Sequence, residues 1–339
     1  MKEVGSDGPT NASILIVGEA PGADEERLGK PFVGTSGQEL DRMLGEAGIS
    51  RAECRVTNVC RIRPPNNDIS KFFARSKKEI TSEHIKISDK FVLPIIKRGL
   101  DLLATEVQLV KPNIILALGN TSLWALTGRW GITKWRGSML HSDMGGFQVI
   151  PTIHPAAVLR EWAWRSIVVR DLRRAARFRT AKFPIPAWSF IIKPGFSVVQ
   201  GILSSLLHRL EKEVVWIDFD LETKYGHIDC AGISWSSVDA LCIPFIHDYW
   251  TVEQEAWIIQ HLRRLLLHKR VCVRGQNLLY DSQYTYKWWG YVPRVMQDTM
   301  LSHHTAFCGM RKSLDFQASL YCDEYKQWKP DKSAWKEGG

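Results

Sequence analysis

The stretch "SILIVGEAPGADEERLGKPFVGTSG", residues 13–37, runs from an unbroken apolar segment into a glycine-rich acidic turn. An apolar run of this length, ended by glycine and a carboxylate, reads as a strand covered on both faces of a parallel sheet. Three later segments also read as buried strands ending on a polar or glycine residue: "CRVTN" (54–58), "NIILALGN" (113–120) and "FQVIPTIH" (147–154). Helical patterns lie between them at "SGQELDRMLGEAG" (36–48), "DKFVLPIIKRGLDLLATEVQLV" (89–110) and "TSLWALTGR" (121–129). This alternation predicts an α/β layered domain with its site at the carboxyl ends of the strands. Glu19, Asn58 and His154 fall at those ends.

The rest of the chain fits a second domain. Its 339 residues, 45% hydrophobic and 24% charged, are enough for two ordinary cores. Residues 66–88 are polar without a clear period and read as a surface loop. "KFPIPAWSFIIKPGFS" (182–197) carries three prolines and reads as a linker. The expected organisation is therefore a first domain at 1–181, a linker at 182–197 and a second α/β domain with a mixed sheet at 198–339. Strands are expected there at 214–220, 227–236, 239–246 and 270–275, with helices at 252–268 and 277–290.

No apolar run approaches the roughly 20 residues of a membrane span. The N-terminus lacks the apolar core of a signal peptide. A cytoplasmic protein without a membrane partner is the expectation. Seven scattered cysteines, an odd number with no C-x-x-C pair, argue against a disulfide framework. The net charge of +9 suits a polyanionic partner. Residues 160–182 concentrate it, with eight Lys/Arg against two acids, as phosphate contacts or as a solvated helix face.

The opening turn is not a P-loop, because "GK" is followed by Pro31 and Phe32 rather than Ser or Thr. It resembles instead the first motif of the uracil-DNA glycosylase superfamily, in its family-four form. Gly18, Glu19, Pro21 and Gly22 are followed by "KPFVGTSG", then by "TNVCRIRPPNN" (57–67) and "HPAAVLR" (154–160). The resemblance spans roughly residues 12–180 and implies a three-layer parallel-sheet domain that removes uracil, or a related base, from single- or double-stranded DNA.

Such a reaction passes through an oxocarbenium-like sugar and releases a base anion, so the site needs donors where that charge develops. His154 is the candidate donor. Asn58 presents an amide able to read the Watson–Crick edge of a flipped base. By resemblance Phe32 stacks on that base, with Ala20 beside it where the family often has glycine. Glu19 and Glu25 are the carboxylates that could position a water or offset the sugar cation, and the motif does not choose between them. Leu159 and Arg160 are expected at the DNA surface, with Arg165 in the basic run on the phosphates. Family-four enzymes usually hold an iron–sulfur cluster on four cysteines. Here Ile62 stands where one of them belongs, so no cluster and no other cofactor is expected for this domain.

In the second domain "WIDFDLET" (216–223) places Asp220 and Glu222 on one side of a strand, and "GQNLLYDSQ" (275–283) places Asp281 one helical turn after Asn277. Together they resemble the first two motifs of the DnaQ-like 3′→5′ exonuclease domain of family A DNA polymerases. That resemblance implies two Mg2+ or Mn2+ ions on Asp220, Glu222 and Asp281, with Asn277 in support. Asp218 with Asp220 is an alternative pair. The family's third motif, Y-x-x-x-D, is not found: Tyr321 is followed four residues on by Tyr325. The expectation is a piece of a phage-type polymerase whose polymerase domain or subunit lies elsewhere. The first domain would be either a working glycosylase or a base-sensing module.

Overall fold

The first apolar runs become the strands of one parallel sheet. The computed structural model describes residues 2–184 and 186–328, in two units: 2–184 together with 318–328, and 186–317. In the first unit the strands are β1 (Ile14–Gly18), β2 (Cys54–Asn58), a small hairpin of β3 (Ile85–Ile87) and β4 (Lys90–Val92), β5 (Ile114–Leu118), β6 (Leu140–His141) and β7 (Gln148–Thr152). The main sheet has the order β2-β1-β5-β7-β6, parallel except for the short edge strand β6.

Side chains alternate across this sheet as strand geometry requires. Ile14, Ile16, Ile114, Leu116 and Leu118 enter one core, with α2 (Thr35–Glu46), α6 (Pro155–Arg160) and α7 (Arg165–Phe178). Leu15, Val17, Ile115 and Ala117 enter the other, with α3 (Pro94–Val110) and α4 (Asn120–Thr127). The result is three layers, with the strand order reversing direction beside β1. Connections from β1 and β5 then diverge and leave a crevice at their carboxyl ends. Two short helices, α1 (Ala23–Leu28) and α5 (Ile132–Trp135), border it.

The second unit has a six-stranded mixed sheet. Its strands are β8 (Ser189–Ile192), β9 (Val215–Lys224), β10 (His227–Ser234), β11 (Asp239–Pro244), β12 (Val271–Gly275) and β13 (Val295–Asp298), in the order β13-β12-β9-β10-β11-β8. β9, β10 and β11 are antiparallel neighbours, whereas β12, β13 and β8 run parallel to theirs. Val215, Ile217, Phe219 and Leu221 of β9 are buried with the apolar faces of α8 (Phe196–Lys212) and α9 (Val252–Leu266). Asp218, Asp220 and Glu222 alternate onto the opposite face. Helices α10 (Leu278–Trp289) and α11 (Thr299–Ala306) complete the unit's larger elements.

Two boundaries differ from the sequence reading. Part of the expected linker, Ser189–Ile192, is a strand paired with β11, because its β-branched and aromatic residues satisfy a sheet edge. Residues 318–328 pack with the first unit rather than the second: Met139 N–H donates to the Tyr325 carbonyl and Gln327 N–H to Ser138 Oγ. Buried Arg136 bonds Asp171 and the Ser319 hydroxyl, while Arg174 donates to the Ser319 and Cys322 carbonyls.

Candidate active site

A cavity of about 480 Å3 opens at the carboxyl ends of β1, β2, β5 and β7. Its walls include Glu19, Ala20, Glu25, Phe32, Asn58, His154 and Arg160, residues far apart in sequence that the parallel sheet delivers to one crevice. Gly18 makes this close assembly possible. A Cβ there would lie 2.3 Å from Asn58 Oδ1 and 2.4 Å from Phe32 Cζ. Phe32 itself is buried with φ of 55°, a left-handed conformation uncommon for an aromatic residue and typical of functional strain. Its ring lies 5.7 Å from that of His154.

The two carboxylates have different surroundings. Glu25 Oε2 accepts from Gly22 N–H at 3.0 Å, and Oε1 accepts from Val33 and Gly34 N–H at 3.0 and 2.8 Å. Its charge is thus spent on tying the start of α1 to the loop that carries Phe32. Glu19 takes a bond from the Thr121 hydroxyl at 2.6 Å. Burial raises the Glu19 pKa above the ordinary carboxylate range, with the Thr121 bond opposing and the charge of Asp68 adding to the rise.

His154 caps α6. The Ala156 N–H donates to its Nδ1 at 3.2 Å, so Nδ1 must present a lone pair and the proton of the neutral ring resides on Nε2. Burial first, then the charge of Arg160, pulls its pKa down to about 4. The imidazole is therefore a neutral donor near pH 7. Opposite it, Gly119 has φ of 89° and a Cβ there would approach His154 Cβ to 3.2 Å. Asn120 Oδ1 accepts from Gly131 and Ile132 N–H at 3.0 and 2.7 Å, closing the wall formed by Ile132 and Thr133. Asn120, Thr121 and Trp164 were not singled out from the sequence, although Asn120 follows the third strand end and obeys the same strand-end rule as Glu19.

Leu159 lies outside the cavity and is 45% exposed. Arg165 is placed differently from expectation. Its guanidinium donates to Glu39 Oε1 at 2.7 Å and Glu46 Oε2 at 3.0 Å, so its charge is already neutralised. The cysteines do not fit a cluster. Cys54 Sγ donates to the Ser50 carbonyl and Cys60 Sγ to that of Ile62, in cores on opposite faces of the sheet.

In the second unit, Asp281 is buried and its Oδ1 accepts from Leu221 N–H at 2.7 Å. Asp220 and Glu222 stand on the exposed side of β9, and Asp218 is paired with Arg274 at 2.5 and 2.9 Å. Asn277, at φ of 61°, donates its N–H to Asp298. Among the described residues no group of three or more His, Cys, Asp or Glu is gathered as a metal site requires. Burial raises the Asp281 pKa to about 6, with the Leu221 N–H opposing and the charge of Asp220 adding to the rise, so two of the expected carboxylates sense one another. No helix among the described residues is long and apolar enough to cross a membrane.

Comparison with known proteins agrees with the first unit's motifs. The chain is 34% identical over 176 residues to a type-4 uracil-DNA glycosylase of Thermotoga maritima, covering 51% of this chain and 80% of that protein. It is 30% identical over 200 residues to the Saccharolobus solfataricus type-4 uracil-DNA glycosylase, covering 57% and 82%. A DNA polymerase of Bacillus phage SP01 is 29% identical over 184 residues, 54% of this chain and 17% of the polymerase. Among solved structures, Escherichia coli RNase D aligns with 43% of this chain and 36% of its own at 15% identity and a TM-score of 0.31. The profile of the Uracil DNA glycosylase superfamily matches residues 6–173. Through that match, its relatives and the three motifs around one crevice, the chain belongs to the uracil DNA glycosylase superfamily.

Proposed function

We propose that the first unit excises uracil, or a related pyrimidine, from DNA by hydrolysing the N-glycosidic bond. One observation carries this reading: a neutral, Nε2-protonated His154 faces the same cavity as Glu19, Phe32 and Asn58. A base extruded from the helix would stack on Phe32 and meet the Asn58 amide, which discriminates because a mismatched edge leaves buried groups unpaired. Negative charge building on the departing base is met by the His154 Nε2–H donor. Glu19, half-buried in the cavity wall and lightly bonded, is the carboxylate that could orient water or offset the sugar cation. Glu25 positions Phe32. Arg160, on the rim, supplies charge toward the phosphates.

The test uses EDTA, an end-labelled oligonucleotide with one uracil, and alkali to cleave abasic sites. Cleavage at the uracil, lost in His154→Ala and Asn58→Ala, is the expected result. Absence of cleavage with DNA binding intact would overturn catalysis in favour of a base-sensing module. That second reading draws support from the similarity to the phage polymerase. For the second unit, the D-x-E and G-x-N-x-x-x-D patterns support an exonuclease-type module working beside a polymerase domain or subunit. Trimming of 3′ ends with added Mg2+ or Mn2+, abolished in Asp220→Ala, would establish hydrolysis.

A further inference from the structure

We propose that Trp162 is a base-stacking platform at the mouth of the cavity, receiving a nucleobase that flanks the extruded one. This rests on reading the first unit as a base-excision site. Trp162 lies in the turn after α6, between Arg160 and Trp164, both of which line the cavity. The indole is 60% exposed, so its face is open to a flat partner. It is nonetheless held from one side, with Arg165 Cζ 5.1 Å from its centroid. That guanidinium is itself held by Glu39 and Glu46. An arginine neutralised by two carboxylates is poorly placed to attract a phosphate. It is well placed to stiffen an aromatic ring laid over it.

The occupant follows from the surroundings. A flat exposed ring, on the turn between two cavity-lining residues and two positions from exposed Arg160, matches a base carried on a polyanionic backbone. Stacking is tolerant of base identity, so this platform would add affinity without adding sequence preference.

The test measures the affinity of the full chain for a single-stranded oligonucleotide bearing one tetrahydrofuran abasic site, by fluorescence anisotropy over a range of salt. Trp162→Ala should weaken binding about tenfold while leaving the slope of log K against log salt unchanged, since no phosphate contact is lost. Trp162→Phe should recover most of the affinity, and the melting temperature of each variant should match that of the parent. Unchanged affinity in Trp162→Ala, or a loss accompanied by a shallower salt slope, would overturn the proposal. Uracil excision is assayed in parallel. If the parent excises nothing yet Trp162→Ala still weakens binding, the excision reading falls and the platform stands. If the parent excises and Trp162→Ala binds normally, the platform falls and the excision reading stands.

Discussion

Glu19 and Glu25 show how two carboxylates six residues apart divide their work by hydrogen bonding alone. Glu25→Gln would set an amide N–H against the Gly22 N–H and loosen the Phe32 loop, costing about 1–3 kcal/mol in urea denaturation. Glu19→Gln should leave stability nearly unchanged and lower kcat on uracil DNA. Thr121 offers a finer measurement. Its bond favours ionised Glu19, so Thr121→Val raises that pKa further and moves the acidic limb of the kcat/KM profile to higher pH, whereas Thr121→Ser restores it. His154 has the opposite linkage. Its folded pKa of about 4 lies below the ordinary 6.5, so the unfolded chain binds the extra proton first. Stability is full above pH 6.5 and falls as pH drops toward 4, by roughly 3 kcal/mol if the whole shift is expressed. His154→Gln should flatten that part of the pH–stability curve.

Strand ends explain most of what could be read in advance. β1, β2, β5 and β7 were legible because buried parallel strands are unbroken apolar runs, and their terminal residues reach the crevice by topology alone. What stayed hidden depends on pairing across the fold. Nothing in "REWAWRS" says that Arg165 meets Glu39 and Glu46 of α2. Nothing in "LLYDSQ" says that Asp281 turns to the β9 backbone rather than outward. The strand Ser189–Ile192 was obscured by its flanking prolines, which mark a boundary but not what happens inside it. The end of β1 is the tightest junction, where glycine alone leaves room for both Asn58 and Phe32. Gly18→Ala is expected to cost about 1–3 kcal/mol and to abolish uracil excision more completely than its loss of stability explains, as thermal melts and product assays on one sample would reveal.

On the scale of the whole chain, the first unit is discontinuous. Buried Arg136 and Arg174 bond the 318–328 segment, and Tyr325 and Gln327 are buried with them. A chain ended after residue 184 would leave these arginines short of partners and should melt well below the first unit of the intact protein, the deficit being several kcal/mol. Supplying residues 318–328 as a peptide should restore part of the difference.

The same return of the chain has a consequence during synthesis. The arginines leave the ribosome long before residues 318–328 exist, and at about 5–20 residues per second the delay is on the order of 10–30 seconds. Through that interval the first sheet can assemble, but its last layer stays open to water until the intervening unit has been made. Sealing of the buried Arg136 and Arg174 is thereby tied to translation of the unit that follows them, so a ribosome stalled within 186–317 would display a first unit not yet closed over these charges.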